Sequence, residues 1–287
     1  MTKDGNGVLV TGSSGFIGSA LTRRLAAERV PAVGLGLGID LAEWDQIKNL
    51  TGFNAVIHLA ARTDLASAYQ DPRGFLRNNF LAALHALELA RLNHARFILA
   101  SSYVYGIPQY LPIDEVHPTS GLNPYMASKL MAEDLCAGYQ RDFGVPVVVL
   151  RIFNAIGPGQ KGDFLFPKIL RGLAEGRISL GDPRPRRDFV YIDDVVDACI
   201  AALAWSDSAF EAFNIGSGSS ISVEQAVDMV VRLNGRVSAV EYETPSKPPE
   251  TPDTVADIRK AARLLRWSPR VAMEDAIRRM LEAQERE

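Results

Sequence analysis

The chain has 287 residues, 47% hydrophobic and 23% charged, an ordinary globular balance that can bury a large core without staples. A net charge of −3 leaves no electrostatic footprint for nucleic acid. The two cysteines, Cys136 and Cys199, fall in apolar helical patterns and read as buried free thiols, and no Cys/His spacing suits a metal.

The first residues, Met1-Thr2-Lys3-Asp4-Gly5-Asn6-Gly7, are polar and lack the apolar centre of a signal peptide. No run approaches the length of a membrane span, so a soluble, cytoplasmic protein is expected. The first element is an apolar strand, Val8–Thr11. It runs into Gly12-Ser13-Ser14-Gly15-Phe16-Ile17-Gly18 and then a helix over 16–29. Strand, glycine turn and helix N-terminus together form an anion site: unpaired N–H groups and the helix dipole point at a pyrophosphate, and glycine lets the backbone approach it. Further strands are expected at 32–37, 55–59, 97–100 and 147–152, with helices at 44–49, 74–93 and 124–143. That alternation is the signature of βαβ units and a parallel sheet covered on both faces.

Two helices carry apolar residues on more than one side: Phe75, Leu76, Phe80, Leu81, Leu84, Leu87 and Leu89 on one, and Tyr125, Met126, Leu130, Met131, Leu135 and Tyr139 on the other. Such helices need a second partner besides the sheet, either a four-helix interface in a homodimer or deep burial within one subunit. After Ile152 prolines and glycines cluster and the elements shorten. Helices are read at 163–175, 193–205, 223–233 and 273–286, and strands at 178–180 and 213–215. The stretch 244–252, with four prolines, reads as a long binding loop. The expected architecture is α/β: a Rossmann-type doubly wound parallel sheet in residues 1–153, and a smaller interleaved lobe in residues 154–287.

Tyr125 and Lys129 lie four apart on one helix and share a face. A phenol with a pKa of about 10 is a poor base, but a nearby ammonium favours its charged form. Such a pair can take a proton from a substrate hydroxyl while hydride leaves the same carbon. Upstream, Ser101-Ser102-Tyr103 ends a strand where open parallel sheets place ligands. Ser101 would hydrogen-bond the reacting oxygen, unless both serines merely cap the turn.

In this order the motifs are specific: Thr11–Gly18, His58-Leu59-Ala60-Ala61, Asn79, Ser101–Gly106, Tyr125–Lys129, Arg151-Ile152-Phe153-Asn154, Gly157-Pro158-Gly159, Arg187–Asp194 and Asn214–Gly218. Through them the chain resembles the extended short-chain dehydrogenase/reductases, the NAD-dependent epimerase/dehydratase group acting on nucleotide sugars. The resemblance implies catalytic roles for Ser101, Tyr125 and Lys129. It implies an NAD site made by Gly12, Gly15, Phe16, Ile17, Gly18, Asp40, Leu41, Leu59, Ala60, Ala61, Tyr125 and Lys129. It places Ser101, Ser102, Tyr103, Asn154 and Arg187 on the nucleotide-sugar substrate. Lys247 appears where the family has a second phosphate-binding arginine, which gives charge without the bidentate fork. A solvated loop is the other reading of Lys247 and Glu250.

Two positions depart from the family. The acidic residue expected about 20 residues past the glycines is Gly36, within Gly34-Leu35-Gly36-Leu37-Gly38, and a strand–loop segment is missing before Ile39-Asp40-Leu41. NAD is favoured because no arginine follows to take a 2′-phosphate. The Asp-Glu pair that sugar dehydratases carry is replaced by Ser102 and Tyr103, which favours chemistry needing only oxidation and re-reduction at C4. Tyr103 would stand in as a proton donor or simply form a wall. The reading is a nucleotide-sugar 4-epimerase, with a UDP-sugar preferred. The alternatives are a 4-keto-sugar reductase, an atypical dehydratase or decarboxylase, or a non-catalytic NAD-binding regulator.

Overall fold

A computed structural model describes residues 7–207, 209–235, 239–243 and 251–286. Six strands form one parallel sheet: β1 (Gly7–Thr11), β2 (Ala32–Leu35), β3 (Phe53–His58), β4 (Arg96–Ser102), β5 (Val147–Ile152) and β9 (Phe210–Ile215). Their order is β2-β1-β3-β4-β5-β9. The chain leaves β1 in one direction and resumes on its other side at β3. The crevice at this reversal is where open α/β sheets take ligands.

Strand side chains alternate, so each apolar strand feeds two cores. Val8, Val10, Ile98, Ala100, Val148 and Leu150 point to one face, covered by α1 (Phe16–Ala27) and α6 (Ile192–Leu203). Leu9, Phe97, Leu99, Val147 and Val149 point to the other, covered by α3 (Pro72–Leu92) and α4 (Pro124–Phe143). Cys199 belongs to the first core and Cys136 to the second, both as free thiols.

Helix starts follow from local chemistry. Asp71 accepts the Gly74 N–H at 2.9 Å and Pro72 takes the first helical position, so a short α2 (Leu65–Gln70) stands apart from α3. Asn123 accepts the Met126 N–H at 2.9 Å and Pro124 opens α4, which fixes Tyr125 in the first turn. The helix expected at 44–49 is only a 3-10 turn, Trp44–Gln46.

The remaining elements gather on the crevice side. β6 (Asn154–Ile156), β8 (Arg186–Tyr191) and β10 (Ser220–Ser222) form a three-stranded sheet, and β7 (Arg177–Leu180) pairs β11 (Ala239–Tyr242). α5 (Leu165–Glu175), α7 (Val223–Asn234) and α8 (Met273–Gln284) pack with them around Phe166, Ile169, Phe189, Val227 and Ile277. The chain interleaves, because β9 returns to the main sheet beside β5. Among the described residues no helix is long and apolar enough to cross a membrane.

Candidate active site

The glycine turn is built by close approach. Gly12 has φ +68°, and a Cβ on it would lie 2.8 Å from the Ala60 nitrogen. A Cβ on Gly18 would lie 2.0 Å from the Gly12 carbonyl oxygen, so the first turn of α1 sits directly on the loop. Gly15 is the N-cap of α1 and no side chain caps that end, which leaves first-turn N–H donors for an anion. Thr11 ties β1 to β3: its Oγ1 bonds His58 Nδ1 at 2.8 Å and accepts the Ala60 N–H at 3.3 Å. These features fit a dinucleotide pyrophosphate.

Around the turn, Phe16 and Ile17 are half-buried and pack against the β6-β8-β10 group. Leu59 packs on the α1 side and Ala60 on the α3 side, and Ala61 is half-buried beyond them. Asp40 is exposed, and its carboxylate accepts the Ala42 N–H at 2.9 Å. Leu41 is a buried core residue, 7% exposed. Lys247 lies outside the described residues.

The two serines at the end of β4 have different partners. Ser101 is buried beneath α4, on the side shared with Phe97 and Leu99, and its hydroxyl donates to Glu133 Oε1 at 2.5 Å. Ser102 faces the other way, on the Tyr125 side, and acts to lower that phenol's pKa. The expected contact of Ser101 with the reacting oxygen stays a proposal; here its hydroxyl is engaged by Glu133.

Tyr125 is pushed up from the ordinary phenol value by burial, and the Ser102 side chain opposes that shift. Lys129 is buried, and its ammonium donates to the Ala100 carbonyl at 2.8 Å. It lies 5.8 Å from the centre of the Tyr125 ring. Burial pulls Lys129 down to about 8, with the Glu133 carboxylate opposing. Desolvation is the first cause acting on the phenol, and Lys129 is held on the β4 main chain.

Glu133 was not singled out by the sequence, although it stands one turn beyond Lys129 on the same face. It takes Arg151 Nη2 at 2.7 Å, and Arg151 continues to the Tyr105 hydroxyl at 3.1 Å. The Tyr105 hydroxyl in turn bonds Asn214 on β9. This buried, satisfied network locks α4 to β4, β5 and β9. Asn79 does the same for the loop after β3. Its amide bonds Arg62 N at 2.8 Å, Arg62 O at 3.0 Å and Ser128 Oγ at 3.0 Å.

Tyr103 stands edge-on to Phe153 at 5.4 Å and its hydroxyl donates to the Gly106 carbonyl at 2.5 Å. Burial pushes it up to about 12, with Arg187 opposing, so it keeps its proton at neutral pH. Asn154 donates its amide to the Asp188 carbonyl at 2.8 Å. Arg187 holds the Thr251 carbonyl at 2.7 Å through Nη1, and burial lowers its pKa. Beside it, the fully buried Asp188 carboxylate accepts N–H bonds from Ser217, Gly218 and Ala256 at 2.6, 3.0 and 3.0 Å. Among the described residues no cluster of His, Cys, Asp or Glu suits a metal ion.

Known proteins resemble this chain in sequence and fold. The family described as NAD dependent epimerase/dehydratase matches residues 8–216. The GDP-6-deoxy-D-mannose reductase of Pseudomonas aeruginosa is 33% identical over 96% of this chain and 95% of its own length. The structure of a UDP-glucose 4-epimerase from Thermotoga maritima with UDP-glucose is 25% identical, with TM-score 0.90 over 98% of this chain and 99% of its own. That of a UDP-glucuronic acid 4-epimerase from Bacillus cereus with UDP-glucuronic acid and NAD is 27% identical, with TM-score 0.86 over the same shares. With its glycine turn, its Tyr125–Lys129 pair and a match over most of its length, the chain belongs to the NAD-dependent epimerase/dehydratase family.

Proposed function

We propose that the chain is a nucleotide-sugar 4-epimerase that uses NAD and prefers a UDP-sugar. The observation that carries this reading is the set of groups around the phenol: Lys129 stands one turn on, 5.8 Å from the Tyr125 ring centre, Ser102 acts to lower the phenol, and Tyr103 is tied to Gly106. Proton transfer at one hydroxyl is provided for. The paired carboxylates that would eliminate water are replaced by Ser102 and Tyr103.

A bound nicotinamide supplies reversible hydride transfer at the sugar C4. Tyr125 takes the C4 hydroxyl proton and later returns it, with Ser102 donating to the phenolate in between. Lys129 contributes a positive charge close to the phenol. Arg187 would hold the diphosphate with Nε and Nη2, and Asn154, whose amide donates to the Asp188 carbonyl, would contact the same substrate. The 4-keto sugar turns over while its nucleotide stays anchored, so the protein's share is orientation and proton transfer.

The partly exposed apolar residues Leu76, Phe80, Leu84, Leu130 and Leu135 on α3 and α4 support a homodimer through a four-helix interface. The buried free thiols suit the reducing cytoplasm. The direct experiment incubates the protein with UDP-glucose, UDP-N-acetylglucosamine or UDP-glucuronate without added reductant. Proton NMR should show a C4 epimer of unchanged mass from at least one of them; a product that has lost water or carbon dioxide rejects the reading. A 4-keto-sugar reductase is the second reading. Gly36 favours it, because a ribose not gripped by a carboxylate suits a cofactor that is released each cycle. Stoichiometric consumption of reduced cofactor on a 4-keto sugar would establish it.

A further inference from the structure

β6 pairs with β8 only over Phe189–Tyr191, and before that point a segment at 251–254 runs beside β8 instead. The Pro252 carbonyl accepts the Arg186 N–H at 2.8 Å, the Thr251 carbonyl accepts Arg187 Nη1 at 2.7 Å, and Thr254 Oγ1 accepts the Asp188 N–H at 3.4 Å. These contacts fix Asp253 next to two arginines that are consecutive in the strand.

The carboxylate is poorly matched to the first of them. The Arg186 guanidinium is already directed elsewhere: Nε to Ser220 Oγ at 3.2 Å, Nη1 to Gln225 Oε1 at 3.0 Å and Nη2 to the Ser220 carbonyl at 2.6 Å. Asp253 Oδ2 is left 3.5 Å from Arg186 Nε, and Oδ1 is buried with no hydrogen-bond partner among the described residues. A carboxylate so incompletely bonded is not neutralised locally, and in half-buried surroundings its field reaches further than in water. The other cation in reach is Arg187. Burial lowers the pKa of Arg187, and Tyr103 and then the Asp253 charge oppose that. Arg187 Nη1 is taken by the Arg186 and Thr251 carbonyls, both at 2.7 Å. A diphosphate on the remaining edge of this guanidinium would compete with Asp253 for one positive charge and be repelled by it.

We propose that Asp253 is the standing counter-ion of Arg187 and limits how tightly the site holds a nucleoside diphosphate. The inference rests on Arg187 taking the diphosphate, as in the proposed function, and adds a negative residue that sets the affinity. Asp253 acts through Arg187 and is a positioning residue. Its effect is to keep the nucleotide end exchangeable once the sugar has reacted. The competing role for a carboxylate here, accepting a ribose hydroxyl, has the opposite sign: removing the charge would then weaken binding.

The test measures UDP binding to the full chain by calorimetry, with steady-state kinetics on the UDP-sugar that turns over. Asp253→Asn keeps the shape and removes the charge. It should bind UDP roughly three- to tenfold tighter, the scale of one like-charge contact near a surface. KM should fall by a similar factor and kcat should not rise. The gain should shrink between about 0.05 M and about 0.5 M salt, which a purely structural role would not produce. Asp253→Glu restores the charge and should bind UDP as the wild type does. An Asp253→Asn variant that binds UDP no more tightly than wild type overturns the proposal. Arg187→Ala separates the two readings. If UDP does not bind the wild-type chain, or binds Arg187→Ala equally well, the placing of the diphosphate itself fails. If Arg187→Ala weakens UDP and Asp253→Asn does not tighten it, only this inference fails.

Discussion

Ser101 and Ser102 are adjacent in sequence, yet strand geometry gives one to a structural network and the other to the phenol. Ser102→Ala should cut turnover by roughly ten- to a hundredfold with little change in stability, because it removes a donor to the phenolate. Ser101→Ala should mainly lower stability, by about 1–3 kcal/mol, since Glu133 loses a buried partner. Steady-state rates and urea midpoints on both variants separate the two roles, and the reverse pattern would return the reacting oxygen to Ser101. His58 yields a second prediction. Burial pulls it down to about 3 from the usual 6.5, with the Lys129 charge adding to the shift. Between those values the unfolded chain binds a proton that the folded chain does not. His58 therefore contributes stability that is whole above pH 6.5 and is lost as pH falls towards 3. A His58→Gln variant should lose less stability than wild type between pH 7 and pH 4 in urea titrations. Equal losses would mean that His58 is not held neutral. The motif residues were visible in the sequence, but the side on which each serine faces was not, because it depends on where the strand ends. Glu133 was hidden for a related reason: its partners Ser101 and Arg151 come from other strands.

At the scale of elements, apolar runs and proline-started helices predicted their own positions, with α4 found at Pro124–Phe143 as expected. β8 was missed because Arg186-Arg187-Asp188 begins it with three charges, which no buried strand advertises. The structure accommodates them by turning Asp188 into a junction for the 217–218 and 256 main chain. Gly36 likewise gave its departure from the family in the sequence, while the place of β2 at the end of the sheet needed the sheet order to be seen. Asp194 is the matching junction at the start of α6. Its carboxylate accepts Arg270 N at 2.8 Å and Val271 N at 3.2 Å, and its carbonyl accepts Trp267 Nε1 at 2.8 Å. Asp194→Ala should cost about 1–3 kcal/mol through two abandoned N–H groups, measured by chemical denaturation. A midpoint matching wild type would show that the 270–271 segment holds itself.

At the scale of the whole molecule, one sheet with two apolar faces places the glycine turn, the end of β4 and the start of α4 around a single crevice. The outer stripe of α3 and α4, including Met131 at 45% exposed, is the surface that the proposed four-helix dimer would use. Sedimentation at micromolar concentration should give a dimer, and Met131→Glu should shift it towards monomer; a wild-type monomer would remove the four-helix interface. The central claim is that Tyr125 moves the proton within a dinucleotide-bound crevice. Its most direct measurement is turnover of Tyr125→Phe alongside NAD affinity. The account predicts a loss of roughly 10²–10⁴ in kcat, with NAD bound within a few fold of wild type. Turnover left intact by that substitution would contradict it.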